Sequence, residues 1–104
     1  MPEHRTTPQT AVNRFWDRFV DRARKNGVKE PAMRWHVRRA EQYLKASSGK
    51  RLAEHSVEDV TGYLERVGTI GRIEDWQFVQ IVDAVENLLV TAGAPVAREL
   101  DWAF

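Results

Sequence analysis

Cysteine is missing from all 104 residues. That excludes disulfide staples, thiolate metal sites and nucleophilic thiol chemistry. Long apolar runs are missing too: no stretch approaches the ~20 residues a membrane span needs, and the start Met1-Pro2-Glu3-His4-Arg5 has no signal-like apolar core. A cytoplasmic location is therefore expected. Net charge is close to absent, with 16 Lys+Arg against 15 Asp+Glu. What is present is ordinary for a folded chain: 42% apolar and 30% charged residues, too apolar for wholesale disorder and enough for one core.

The small net charge conceals a strong division. Residues 1–52 hold 13 Lys+Arg and 5 Asp+Glu, a balance of +8, whereas residues 53–104 hold 3 and 10, a balance of −7. Either the two halves neutralise each other across the fold, or one side of the surface is positive enough to steer a polyanion.

Apolar residues recur at three and four rather than at two, so the expectation is an all-α chain of four helices. The first runs from about Thr10 to Asn26 and buries Val12, Phe15, Trp16, Phe19, Val20 and Ala23, with Gly27 as its stop. Its other side carries the stripe Arg14, Arg18, Arg22 and Lys25, offset by Asp17 and Asp21. The second runs from Pro31, favoured in a first turn, to about Ser47. Met33, Val37, Ala40, Tyr43 and Leu44 form its core face with His36 at the border. Trp35, Arg38, Arg39 and Gln42 lie opposite, flanked by Arg34 and Lys45, so an aromatic ring stands among cations.

Ser56-Val57-Glu58-Asp59 begins the third helix as a capping box with Asp in place of the usual Glu. Val57, Val60, Leu64 and Val67 form its buried stripe, Tyr63 borders it, and Gly68 ends it. After the Gly68-Thr69-Ile70-Gly71 connection the fourth helix is expected from about Ile73 to Ala92, stopped by Gly93 and Pro95. Phe78, Ile81, Val82, Val85, Leu88, Leu89 and Ala92 face its core; Trp76, Gln80, Asp83 and Asn87 lie on the polar side. Residues 1–9 are expected as a loose lead, 10–97 as the folded core, and 98–104 as the start of a linker, because a chain stopping on Trp102 and Phe104 reads as a piece of a longer protein.

Catalytic material is sparse. His4, His36 and His55 form no i, i+4 pair and stand in no carboxylate array, so no metal site, catalytic residue or cofactor is expected. His36 reads as a core-border residue and His55, just before the Ser56 cap, as exposed. Glu58-Asp59 and Glu74-Asp75 sit in first helical turns, where the helix dipole favours negative charge. Ser47-Ser48-Gly49-Lys50-Arg51 lacks the upstream glycine and strand of a phosphate-binding loop, and Gly68-Thr69-Ile70-Gly71 matches a nucleic-acid clamp in spelling only. There is no sign of a small-molecule substrate or a membrane partner.

What the residues do support is contact with nucleic acid. Arg34, Arg38, Arg39 and Lys45 project from one side of a helix whose other side is buried, a geometry suited to phosphates, with Gln42 and Trp35 able to meet sugars or base edges. Lys50 and Arg51 extend the run. The alternative for Trp35 is packing against a neighbouring element.

At this point the chain resembles a family, the N-terminal core-binding domains of tyrosine recombinases, the phage and integron integrases. The resemblance rests on Arg34-Trp35-His36-Val37-Arg38-Arg39-Ala40-Glu41-Gln42-Tyr43-Leu44, then Val57-Glu58-Asp59-Val60-Thr61-Gly62-Tyr63-Leu64. It continues through Trp76-Gln77-Phe78-Val79-Gln80-Ile81-Val82-Asp83-Ala84-Val85-Glu86-Asn87-Leu88-Leu89 to Glu99-Leu100-Asp101-Trp102, and so spans roughly residues 10–104. It implies a four-helix, SAM-like orthogonal bundle that clamps duplex DNA at a recombination site, acts beside other recombinase protomers in a bacterial or phage setting, and leaves catalysis to a separate domain. Family members turn their second and fourth helices toward DNA. That assigns DNA contact to Arg34, Trp35, Arg38, Arg39, Gln42 and Lys45 on one helix and to Arg72, Trp76, Gln77 and Gln80 on the other. The departure is Glu74 and Asp75, standing where family members often carry neutral or basic residues. The rival reading is a SAM or death-domain-like interaction module whose positive face meets the negative face of the next copy. A small helical enzyme has no supporting constellation.

Overall fold

The computed structural model describes residues 8–70 and 72–104. Among them every regular element is helical: α1 (Pro8–Lys25), α2 (Glu30–Ala46), α3 (Val57–Ile70), α4 (Asp75–Thr91) and a short α5 (Val96–Glu99), with a 3₁₀ turn at Leu52–Glu54. The all-α expectation holds, with one short helix more than the four foreseen. Residues 1–7, His4 among them, and Gly71 of the expected connection lie outside the described residues. Pro8 and Gln9, assigned to a loose lead, belong to α1.

The two glycine stops act as expected, and for the expected reason. Gly27 and Gly93 take φ of +95° and +70°, which only glycine adopts without strain. Each lets the following amide reach back to the last turn: Val28 N–H donates to the Ala23 carbonyl and Ala94 N–H to that of Leu89, both at 3.0 Å. These are Schellman closures. The third helix differs. Gly68 does not end it but lies within it, and an added Cβ there would stand 3.1 Å from Cε1 of Phe78. The residue is small because the α4 side chain passes close by.

Helix α4 is the centre of the fold, packed against α1, α2, α3 and α5. Ile81, Val82, Ala84, Val85, Leu88 and Leu89 are buried on nearly all its sides, the pattern of a helix surrounded by others rather than lying on a surface. Phe19 and Ala23 of α1, Ala40 and Tyr43 of α2, and Val60 and Leu64 of α3 complete the core. Within segment 98–104, expected as linker, Leu100 and Trp102 pack against the core: the Trp102 indole donates to the Ala97 carbonyl at 3.0 Å, and the exposed Phe104 meets Phe78 edge-on with ring centroids 6.3 Å apart.

Three placements correct the sequence reading. Val12, assigned to the core face, is exposed, as are Ala11, Asn13 and Arg14 beside it. Asn87, assigned to the polar side of α4, is buried: its Nδ2 donates to the Phe19 carbonyl at 3.1 Å and lies 3.0 Å from Nε2 of His36. A helical wheel cannot show that α1 covers that side of α4. His55, read as exposed, is also buried. Its Nε2 lies 3.2 Å from the Lys50 carbonyl and its Nδ1 2.5 Å from the Tyr43 hydroxyl. A carbonyl only accepts, so Nε2 carries the proton and Nδ1 accepts from Tyr43. Burial pushes the Tyr43 phenol up to about 12.

Candidate nucleic-acid interface

The buried side of α2 is fixed by Met33, His36, Ala40 and Tyr43. At 100° per residue this turns Arg34, Trp35, Arg38, Gln42 and Lys45 outward, and all five are exposed. Trp35 is 48% open, which decides against packing on a neighbouring element, and the Arg38 guanidinium lies 5.9 Å from the centroid of its ring.

Among the described residues two surface cations are held by carboxylates, and those of this face are not among them. Arg24 is held by Glu30 at 3.2 Å and lies 3.8 Å from Asp21, and Lys50 is held by Asp59 at 2.8 Å. Lys50, expected to extend the basic run, is thus committed to the start of α3. Among the described residues Arg34, Arg38 and Lys45 have no ion pair. Beside them runs an open groove of about 590 Å³, with Met33 and Val37 as its apolar lining and Arg34, Arg38, Glu41, Gln42 and Lys45 at its rim. The sequence reading missed this groove, although Met33 and Val37 stand at the edge of the core arc where such a signal would lie.

Arg39 is the exception on this helix. It is half-buried, its Nε shut away from solvent with no hydrogen-bond partner. It lies near Tyr63 of α3, whose phenol is pushed up by burial and partly brought back by Arg39 and Arg66. Part of its guanidinium therefore faces α3 rather than the outer surface.

The second expected set is dispersed. Trp76 is 60% exposed. Arg72 is exposed just before α4, with the left-handed φ of 51° that a non-glycine residue seldom takes. Gln77 closes a capping box: its Oε1 accepts from the Glu74 amide at 2.8 Å while the Glu74 carboxylate accepts from the Gln77 amide. Gln80 is half-buried. The open arc of α4 presents Asp75, Trp76, Val79 and Asp83, and the helix contains no Lys or Arg. An acidic arc repels phosphate, so the α2 face stands as the cationic surface and the α4 face does not.

The α1 stripe is divided as well. Arg14, Arg18 and Lys25 are exposed, whereas Arg22 is half-buried and turns toward a cavity of about 350 Å³ that it shares with His36, Asp83, Glu86 and Asn87. Desolvation raises the Asp83 carboxyl; it also raises that of Glu86, helped by Asp83 and opposed by Arg22. Among the described residues no group of three or more His, Asp or Glu is placed to hold a metal ion, and no helix is long and apolar enough to cross a membrane.

No family model, curated protein or solved structure matches this chain.

Proposed function

We propose that this chain is a DNA-binding helical module that grips duplex DNA through the outer face of α2, in the manner of the SAM-like core-binding domains of tyrosine recombinases. Catalysis at the recombination site belongs to a separate domain, other protomers act beside it, and the setting is the bacterial or phage-infected cytoplasm. The observation that supports this reading is the set of exposed cations, Arg34, Arg38 and Lys45, on one face with Trp35 and Gln42, with no ion pair among the described residues. Free cations release no local partner when they meet phosphate, and most protein–DNA hydrogen bonds go to the phosphate and sugar. The acidic arc of α4 leaves Arg72 as the one cation of the second set, so α2 carries the contact.

The test is a fluorescence-anisotropy titration of a labelled nonspecific duplex at low and then moderate salt, with the parent chain and with Arg34→Glu/Arg38→Glu. The parent binds, salt weakens the binding, and the double variant stays helical and does not bind. Equal binding by the variant assigns the wrong face. No binding by the parent, with association that grows on raising protein concentration alone, favours the rival module in which the α2 face of one copy meets the acidic α4 arc of the next.

A further inference from the structure

On the side of α2 away from Arg38, the cavity between α1, α2 and α4 gathers charged groups that the fold has brought together without joining. Arg22 and Asn26 of α1, His36 of α2, and Asp83, Glu86 and Asn87 of α4 line its roughly 350 Å³. The spacings are helical: 22 and 26 stand one turn apart, as do 83, 86 and 87, so α1 and α4 each turn one row toward the same space. Yet among the described residues Arg22 forms no ion pair with either carboxylate, and its Nε is shut from solvent without a hydrogen-bond partner. His36 also has a donor to spare. Its Nε2 accepts from Asn87, so the neutral ring carries its proton on Nδ1, which meets no acceptor among the described residues.

We infer that this cavity is a binding site for a small zwitterion of the α-amino-acid class, its carboxylate taken by Arg22 and the His36 Nδ1–H and its ammonium by Asp83 and Glu86. The unmatched groups are sorted by helix: the N–H donors come from α1 and α2, the carboxylates from α4. A simple anion would face two carboxylates, and a simple cation would face an arginine. A metal ion meets the same obstacle, and among the described residues no group of three His, Asp or Glu is placed to hold one. Burial pushes both carboxyls up, that of Glu86 only partly brought back by Arg22, as befits carboxylates short of a donor. Water in the same space supplies hydrogen bonds but neither charge. The ammonium and carboxylate of an α-amino acid share one carbon, so one small molecule supplies both. Ala23 and the buried His36 and Asn87 form the floor, and the exposed Asn26 and Asp83 stand at the mouth. Because the site lies behind α2, it stands or falls independently of the DNA-binding reading.

The test is an amide and side-chain NMR titration of the folded chain with glycine, L-alanine, L-serine and L-glutamine, beside acetate and ethylamine, which carry one charged end each. At least one amino acid is expected to give saturable shifts at the Arg22 Nε–H, His36 and Asn87 signals, with a Kd of about 5 mM or tighter. Acetate and ethylamine are expected to bind about tenfold more weakly or not at all. Arg22→Gln and Glu86→Gln each weaken the amino-acid binding by about tenfold or more, and the thermal midpoint rises with added amino acid for the parent but not for these variants. Helical circular dichroism checks that the bundle is intact; should either variant unfold, Asp83→Asn at the exposed mouth makes the same comparison. No saturable shift with any of the four amino acids, equal binding of acetate, or binding unchanged in the folded variants overturns the inference, and the cavity then holds water only.

Discussion

The side-chain amide of Asn87 in α4 faces Nε2 of His36 in α2 at 3.0 Å, and the His36 ring stacks on Phe19 of α1 at 5.0 Å. Because the same Nδ2 donates to the Phe19 carbonyl and Oδ1 accepts from the Thr91 hydroxyl at 3.0 Å, the amide is oriented and His36 is the acceptor. One polar contact thus joins three helices inside the core. An unsatisfied buried group costs about 1–3 kcal/mol, and Asn87→Ala leaves His36 without its donor and removes the second donor to the Phe19 carbonyl, which keeps its helical bond within α1. The variant is expected to lose about 2–3 kcal/mol in urea unfolding.

Protonating His36 makes Nε2 a donor and sets it against the Asn87 amide. Burial holds the imidazole below its ordinary 6.5. A value lower in the folded than in the unfolded state means that the His36 contribution is complete above 6.5 and shrinks as the pH falls below it. Arg22, Asp83 and Glu86 line the same cavity. Both carboxyls are raised by burial, so their protonation at lower pH favours the fold and blunts the loss. Urea midpoints are expected to fall between about pH 7 and about pH 5, and His36→Gln to flatten that slope.

The start of α3 is a second charge-dependent element. The Ser56 amide donates to the Asp59 carboxylate at 2.9 Å, the Asp59 amide to the Ser56 hydroxyl at 3.1 Å, and Lys50 to the same carboxylate at 2.8 Å. The Lys50 bond and then the Ser56 amide hold the Asp59 carboxyl down at about 2, from an ordinary 3.8. Its contribution is present above 3.8 and lost as the pH falls through about 2. Carboxyl-detected NMR titration is expected to give that low midpoint, and Lys50→Ala to raise it.

Two glycines of α3 are expected to respond in opposite ways to alanine. Nothing lies within 4 Å of a Cβ built on Gly62, so Gly62→Ala gains helix propensity alone, about 0.5–1 kcal/mol of stability. At Gly68 the new methyl meets Phe78 at 3.1 Å, and displacing that ring cancels or reverses the gain. Thermal melts of the two variants separate the cases, and equal stabilisation would remove the close-approach account of Gly68.

Salt dependence checks how few phosphates the α2 face engages. With Arg34, Arg38 and Lys45 as the contacting cations, the slope of log K against log salt on duplex DNA is expected near −3, and replacing one of them by Gln reduces it by about one. A slope near −5 would bring in the exposed α1 cations Arg14, Arg18 and Lys25 as well.

The helix stops at Gly27 and Gly93, the Ser56–Asp59 box and the outward turn of Trp35 were legible because each depends on neighbours within one or two turns: a positive φ, a cap, a 100° step. Gly68 carried the same local signal as Gly27 and meant something different, since the ring beside it belongs to another helix. His55 gave no signal at all, because its burial depends on Tyr43 and on the Lys50 carbonyl closing around it.

By itself, the sequence determined four amphipathic helices, the glycine stops of the first and fourth, and a cationic face on the second, since local spacing sets which residues share a side. Only the tertiary structure decided which cations remain free. It turned Arg22 toward Asp83 and Glu86, drew Arg39 toward Tyr63, tied Lys50 to Asp59, and left Arg34, Arg38 and Lys45, like Arg14, Arg18 and Lys25 of α1, without ion pairs among the described residues. Charge pairing and the burial of Asn87 depend on which helices meet, and that is settled by the packing around α4 rather than by periodicity along any one helix.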